Sequence, residues 1–235
     1  MCVPDGDTVR GLRGWLSRLG PLRPAEDARP DTASPPKPEE GPVVTSQGLR
    51  KFLSHLETRP SPVLLDLGPV VGSNIAYFGE RLNCKVVIGD LFVEFERHAR
   101  EGRAEDLPSF LAKRFTREEA SIDGVLLWDV YDYLNRPSAQ ALAAALVRAL
   151  RPDGAVLGFF GNAKHVDIGC TTFVVENDSH VRLRRHESVL ARQGWLQNRD
   201  IIKMFDGMRV SDSYLLQNGW REMLFRKGGG GRPII

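Results

Sequence analysis

Cysteine is scarce in this 235-residue chain: Cys2, Cys84 and Cys170 are far apart, odd in number and form no C-x-x-C pair. That pattern excludes a disulfide framework and a zinc site built from paired cysteines, and a reducing, cytoplasmic location is the expectation. Long apolar runs are also missing. None approaches the ~20 residues of a membrane-spanning helix, and Asp5, Asp7 and Arg10 stand where a secretory signal would carry its apolar stretch. Charge of one sign is nearly absent: 32 Lys and Arg against 30 Asp and Glu leave a formal +2, no field to draw nucleic acid or a membrane surface. The 5 histidines show no metal-ligand spacing, so no metal is expected. No G-x-S-x-G elbow, P-loop or H-E-x-x-H motif occurs.

Proline is abundant, but unevenly placed. Eight of the 15 lie in residues 1–43, where Pro35-Pro36-Lys37-Pro38-Glu39-Glu40 is polar and stiff. Such a stretch cannot bury enough apolar surface to offset its ordering entropy, so 21–42 reads as a disordered linker. Before it, Val9, Leu12, Leu16 and Leu19 fall at helical spacing among Arg10, Arg13 and Arg18. This short basic helix either rests on its own domain or docks on a partner protein or membrane surface. The expected organisation is a flexible arm over 1–43, one domain over 44–227, and a glycine-rich tail over 228–235.

From Ser46 the texture changes. Gln47 to Leu56 has the pattern of an amphipathic helix, ended by Arg59-Pro60-Ser61-Pro62. Val63 to Asp66, Lys85 to Gly89, Ile122 to Leu127 and Ala155 to Phe160 are short apolar runs. Helical patterns over Gly72 to Leu82 and Ser138 to Leu150 separate them. Strands alternating with helices predict a parallel sheet covered on both faces, and continuous apolar runs agree with strands buried on both sides. Thr171–Val175 and Val181–Arg185 flank a turn at 177–179. Asn198 to Phe205 reads as a helix, and Met208–Leu216 and Trp220–Arg226 flank Asn218-Gly219. That last turn predicts an antiparallel hairpin closing the sheet. The fold class is therefore α/β: a Rossmann-like, doubly wound sheet, mostly parallel, with a C-terminal antiparallel hairpin.

The strongest local signal is Asp66-Leu67-Gly68-Pro69-Val70-Val71-Gly72, between an apolar strand and a helix. Glycine there permits a sharp turn and a close approach of ligand to backbone, and such folds bind cofactors outside the carboxyl ends of their strands. Asp90 follows the next strand, where an acid accepts hydrogen bonds from ribose hydroxyls.

In these residues the chain resembles the class I S-adenosylmethionine-dependent methyltransferases, over roughly Val63 to Lys227. The resemblance implies S-adenosylmethionine as cofactor, its amino-acid part cradled by Asp66, Gly68 and Gly72 and its ribose by Asp90. Ala104-Glu105-Asp106-Leu107-Pro108 is similar to the family segment whose acid contacts the adenine edge, which makes Asp106 a candidate. Ile122 to Val130 resembles the family's fourth strand, whose end brings Trp128 and Asp129 to the cofactor. One position departs: Val70 stands where the family has glycine, and with Pro69 makes the turn stiffer and bulkier. That substitution bears on cofactor placement and on turnover.

Plain structural readings stand beside these. Asp66 and Asp90 can cap turns, Gly68 and Gly72 can serve a tight strand-helix connection, Asp106 can sit on a solvated loop and Trp128 in the core. Asp129 can cap a helix over Tyr131–Leu134. His165 is a loop histidine or a base, and Arg182, Arg184 and His186 share a strand face that is either solvated or clamps an anionic substrate. The acceptor is expected to be a small molecule rather than nucleic acid, since Trp128-Asp129-Val130-Tyr131 replaces the Asn-Pro-Pro-aromatic tetrad of many base-amine methylating enzymes. Two further functions remain open: a methyltransferase-like binding module that has lost turnover and uses its N-terminal arm, and a nicotinamide-dependent oxidoreductase, which lacks its full G-x-G-x-x-G.

Overall fold

The computed structural model describes residues 41–115, 119–161, 168–193 and 196–229. The basic helix, nearly all of the proline-rich linker, His165 and the last six residues of the tail lie outside the described residues.

A six-stranded sheet forms the centre. Its strands are β2 (Val63–Asp66), β3 (Lys85–Ile88), β4 (Ile122–Trp128), β5 (Leu150–Phe160), β8 (Met208–Leu215) and β9 (Arg221–Lys227), in the order β3-β2-β4-β5-β9-β8. The first four run parallel; β9 lies antiparallel to both β5 and β8, the closing hairpin that Asn218-Gly219 predicts. The helices are α1 (Gln47–Leu56), α2 (Gly72–Leu82), α3 (Leu91–Arg100), α4 (Leu107–Arg114), α5 (Arg136–Ala149) and α6 (Asn198–Met204).

Alternation along each strand explains the continuous apolar runs. Leu65, Val125, Leu127, Val156 and Phe225 point into one core with side chains of α3, α4, α5 and α6. Leu64, Leu126, Leu157 and Leu224 point into a second with α1 and α2. On β4, between two covered faces, every position is buried, so both of its faces carry mainly apolar side chains. Local caps agree: Ser46 accepts from the Leu49 amide at 3.0 Å to start α1, and Asn135 from the Ser138 amide at 3.0 Å to start α5.

The hairpin after β5 makes a second sheet. β6 (Ile168–Asn177) and β7 (His180–Ala191) pair antiparallel, and β1 (Val43–Thr45) adds to β7, giving the order β1-β7-β6. Phe173, Val175, Val181 and Leu183 fill the second core. The edge of β6 is closed by a side chain rather than a strand. Asn74, buried on α2, donates from Nδ2 to the Phe173 carbonyl at 2.7 Å and accepts from the Val175 amide at 2.8 Å. An amide side chain thus satisfies an edge that would otherwise invite pairing.

Boundaries differ from expectation at one point of consequence. β5 begins at Leu150, not Ala155; Leu150 already pairs with Ile122, and the Arg151–Gly154 turn is an irregularity inside the strand, with Asp153 at φ 59°. Nothing in the sequence reading anticipates β1, α3 or α4.

Candidate functional site

The loop between β2 and α2 emerges at the carboxyl ends of the parallel strands, where a doubly wound sheet opens a crevice. An open cleft of about 580 Å³ lies there. Pro69 to Ser73 line one side, and Cys170, Thr172, Val174, Arg184 and His186 of the small sheet line the other. Gly72 opens into free space, with nothing within 4 Å of where a Cβ would stand, and Val70 is exposed. Val71, the N-cap of α2, provides no side-chain cap, so the first amides of the helix have no acceptor from it.

Asp66, Gly68 and Trp128 meet, but they form a packed unit behind the cleft. One Asp66 oxygen accepts from the Trp128 indole N–H at 2.7 Å and the Gly68 amide at 3.0 Å. A Cβ on Gly68 would fall 2.4 Å from the indole Cδ1, so this glycine makes room for Trp128. The indole stacks on Phe159 and Phe173, and its own backbone takes φ 50°, an outlying conformation for a bulky residue. Burial pushes the Asp66 carboxyl up to about 6; the two hydrogen bonds oppose that shift and the Asp90 charge adds to it.

Asp90 precedes α3, and its Oδ1 is buried without a hydrogen-bond partner among the described residues. Burial raises its pKa against the pull of the Val93, Val70 and Phe92 amides. Asp106 stands apart: it is exposed on the turn before α4 and pairs with Arg103 at 3.0 Å.

Asp129, fully buried, sits at the N-cap position of the short 3-10 turn Val130–Tyr133 but makes no cap hydrogen bond. Its carboxylate turns to Arg192, just past β7. Arg192 also reaches Asp132 and donates to Thr171 Oγ1 at 3.0 Å, between the rings of Tyr133 and Trp220 at 5.1 and 4.7 Å. Burial raises Asp129 and Asp132 while Arg192 draws both down. Burial works against the Arg192 cation, yet Asp129, Tyr133 and Asp132 more than offset it and hold the guanidinium charged. This cluster ties the end of the small sheet to the end of β4. Arg192 is absent from the sequence candidates because nothing near it in the chain points to an acid 63 residues away.

No family model matches the chain, and no curated protein matches it. Solved structures do. A S-adenosylmethionine-dependent methyltransferase from Clostridium acetobutylicum superposes with a TM-score of 0.50 at 11% identity, covering 78% of this chain and 92% of that one. The 1,6-didemethyltoxoflavin-N1-methyltransferase of Burkholderia thailandensis, with bound 1,6-didemethyltoxoflavin and S-adenosylhomocysteine, matches with a TM-score of 0.46 at 18% identity, covering 78% and 79%. The likeness is one of architecture: the chain has the Rossmann-like fold of the class I S-adenosylmethionine-dependent methyltransferases.

Proposed function

We propose that this chain transfers a methyl group from S-adenosylmethionine to a small-molecule acceptor, with residues 44–227 as the functional domain. The observation that carries the reading is the orphaned Asp90 Oδ1, buried beside the glycine-containing loop at the carboxyl ends of the parallel strands. A buried acceptor without a partner is costly, and a ribose hydroxyl is the donor that position suits.

The residues present fit the cofactor. The cleft volume falls in the roughly 300–1,000 Å³ range of small-molecule sites. Gly72 and the uncapped start of α2 would receive the carboxylate end of the cofactor, and Asp90 the ribose. Asp66, Gly68 and Trp128 hold the loop in shape, with Asp129 and Arg192 bracing the end of β4. Asp106 stays a candidate for the adenine edge from a solvated turn. Bound S-adenosylmethionine supplies a methyl group already activated on a sulfonium. What remains for the chain is to orient that group toward an acceptor and exclude water, for which positioning is worth up to ~7–11 kcal/mol.

Calorimetric titration with S-adenosylmethionine, S-adenosylhomocysteine and NAD tests the reading. The expected result is micromolar affinity for the first two, none for NAD, and at least a tenfold loss in Asp90→Ala. Tighter binding of NAD, or wild-type affinity in Asp90→Ala, would sink it.

A second reading, a binding module without turnover, draws on one observation: the Asp66 oxygen nearest the loop is already engaged by Trp128 and Gly68. It predicts cofactor binding with no methylation across an acceptor screen, and a partner lost on deleting residues 1–42.

A further inference from the structure

We infer that the cleft takes an acceptor with an apolar body and one anionic group, a carboxylate or phosphate, held by Arg184 with His186 beside it. The inference deepens the methyltransferase reading and rests on it for the ligand's role as acceptor; the anion site rests on the strand geometry.

Three successive cross-strand pairs, Cys170–His186, Thr172–Arg184 and Val174–Arg182, lie on the same face of the β6–β7 ladder. The intervening residues Phe173 and Leu183 point the other way, into the core. The three basic side chains on that face are not equivalent. Arg182 is occupied: Nε donates to Glu176 at 2.7 Å and Nη1 to the Gly41 carbonyl at 3.2 Å. Arg184 Nε is buried and has no hydrogen-bond partner among the described residues. Arg184 and His186 line the cleft, and Arg182 does not.

Among the described residues that line the cleft, none is a carboxylate to neutralise Arg184. Glu96, on the helix that packs against β7, is engaged by Ser188 at 2.6 Å and Arg100 at 2.9 Å. A guanidinium N–H withdrawn from water without an acceptor is unfavourable, and an anionic oxygen restores the lost bond with a charge-assisted one. Residues two apart on a strand are ~7 Å apart, so Arg184 and His186 can address one anionic group together, with the Thr172 hydroxyl opposite. The facing wall of Pro69, Val70 and Val71 is apolar and suits the rest of the ligand. Asn74 fixes the spacing of the two walls by clamping β6 to α2.

The test is calorimetry on the full chain, with and without saturating S-adenosylhomocysteine, using benzoate against benzamide, a neutral probe of the same shape. The expected result is benzoate binding at millimolar or better affinity, at least about tenfold tighter than benzamide. That advantage should vanish in Arg184→Met, survive in part in Arg184→Lys and remain whole in Arg182→Met. Equal binding of the two probes, no binding of benzoate, or an advantage that survives Arg184→Met overturns the inference. So does a loss of S-adenosylhomocysteine affinity in Arg184→Met as large as the loss of benzoate affinity, which would assign the arginine to the cofactor's own carboxylate. Wild-type protein that binds benzoate through Arg184 but not S-adenosylhomocysteine would retain the anion site and remove the methyltransferase reading.

Discussion

Two aspartates bracket the central strand, and their surroundings differ in kind. Asp123, at the start of β4, has both oxygens in use. Oδ1 accepts from Arg59 at 2.6 Å, and Oδ2 from Arg151 at 2.7 Å and the Val63 amide at 2.8 Å. Asp129, just past the other end, keeps Oδ1 buried without a partner among the described residues, and Asp90 at the same end of the sheet does likewise. Buried acceptors in native proteins are nearly always satisfied. One end of the sheet is therefore built as a fastening, while the other keeps hydrogen-bonding capacity that the described residues leave unused.

Breaking the fastening should have the largest effect. Asp123→Ala removes three charge-assisted hydrogen bonds at once, from Arg59, Arg151 and the Val63 amide, and is expected to cost about 3–5 kcal/mol in urea unfolding. The folded fraction should keep its S-adenosylhomocysteine affinity; a loss of affinity matching the loss of stability would mean that the two ends are not separate.

Asp66 gives the next effect, and its sign is defined. Its folded pKa of about 6 lies above the ordinary 3.8, so the folded state holds the proton more tightly than the unfolded chain. The stability this contributes is fully present below about pH 4 and is lost as pH rises through about 6, by roughly 2–3 kcal/mol. Asp66→Asn keeps an oxygen for the Trp128 and Gly68 donors and removes the ionisation. Its unfolding free energy should stay flatter than wild type between pH 4 and 7, and parallel curves for the two proteins would refute this.

Gly68→Ala should cost about 1–3 kcal/mol, because the new methyl meets the indole and the stacked rings behind it leave little room to yield. In a Trp128→Leu background the same change should cost less, which a double-mutant cycle reads directly. Arg182→Met is expected to have the smallest effect, under about 1 kcal/mol, since its pair with Glu176 is partly exposed. A larger loss would show that the face of the small sheet is held by Arg182 rather than by Asn74.

Much of the fold was legible. α1 and α2 occupy the residues that periodicity and proline placement mark, β2 likewise, and both C-terminal hairpins turn at their Asn-containing segments. These signals are local: a helical stripe, an apolar run and a turn residue act within a few positions. α3 was equally legible in principle, since Leu91, Phe92, Phe95 and His98 fall at helical spacing and are buried, yet the charges between them mask the stripe. β1 has only three residues and pairs with a strand more than 130 positions away, so no local pattern marks it. At the site, the sequence brought out Asp66, Gly68, Gly72 and Asp90 as a group, but not that Trp128 would fill the space beside Gly68.

By itself, the sequence determined the core strands with α1, α2, α5 and α6, the parallel sheet with its antiparallel close, and the glycine-containing loop at the strand ends. Only the tertiary structure decided which of several similar side chains has a partner. Among the described residues, Arg182 Nε is paired and Arg184 Nε is not, though they are two residues apart; Asp123 has both oxygens engaged and Asp129 only one, though they flank the same strand. The reason is physical. Secondary structure follows from short-range periodicity and backbone preference, whereas a polar group's partners and its loss of water depend on chain segments that meet only when the whole fold is packed.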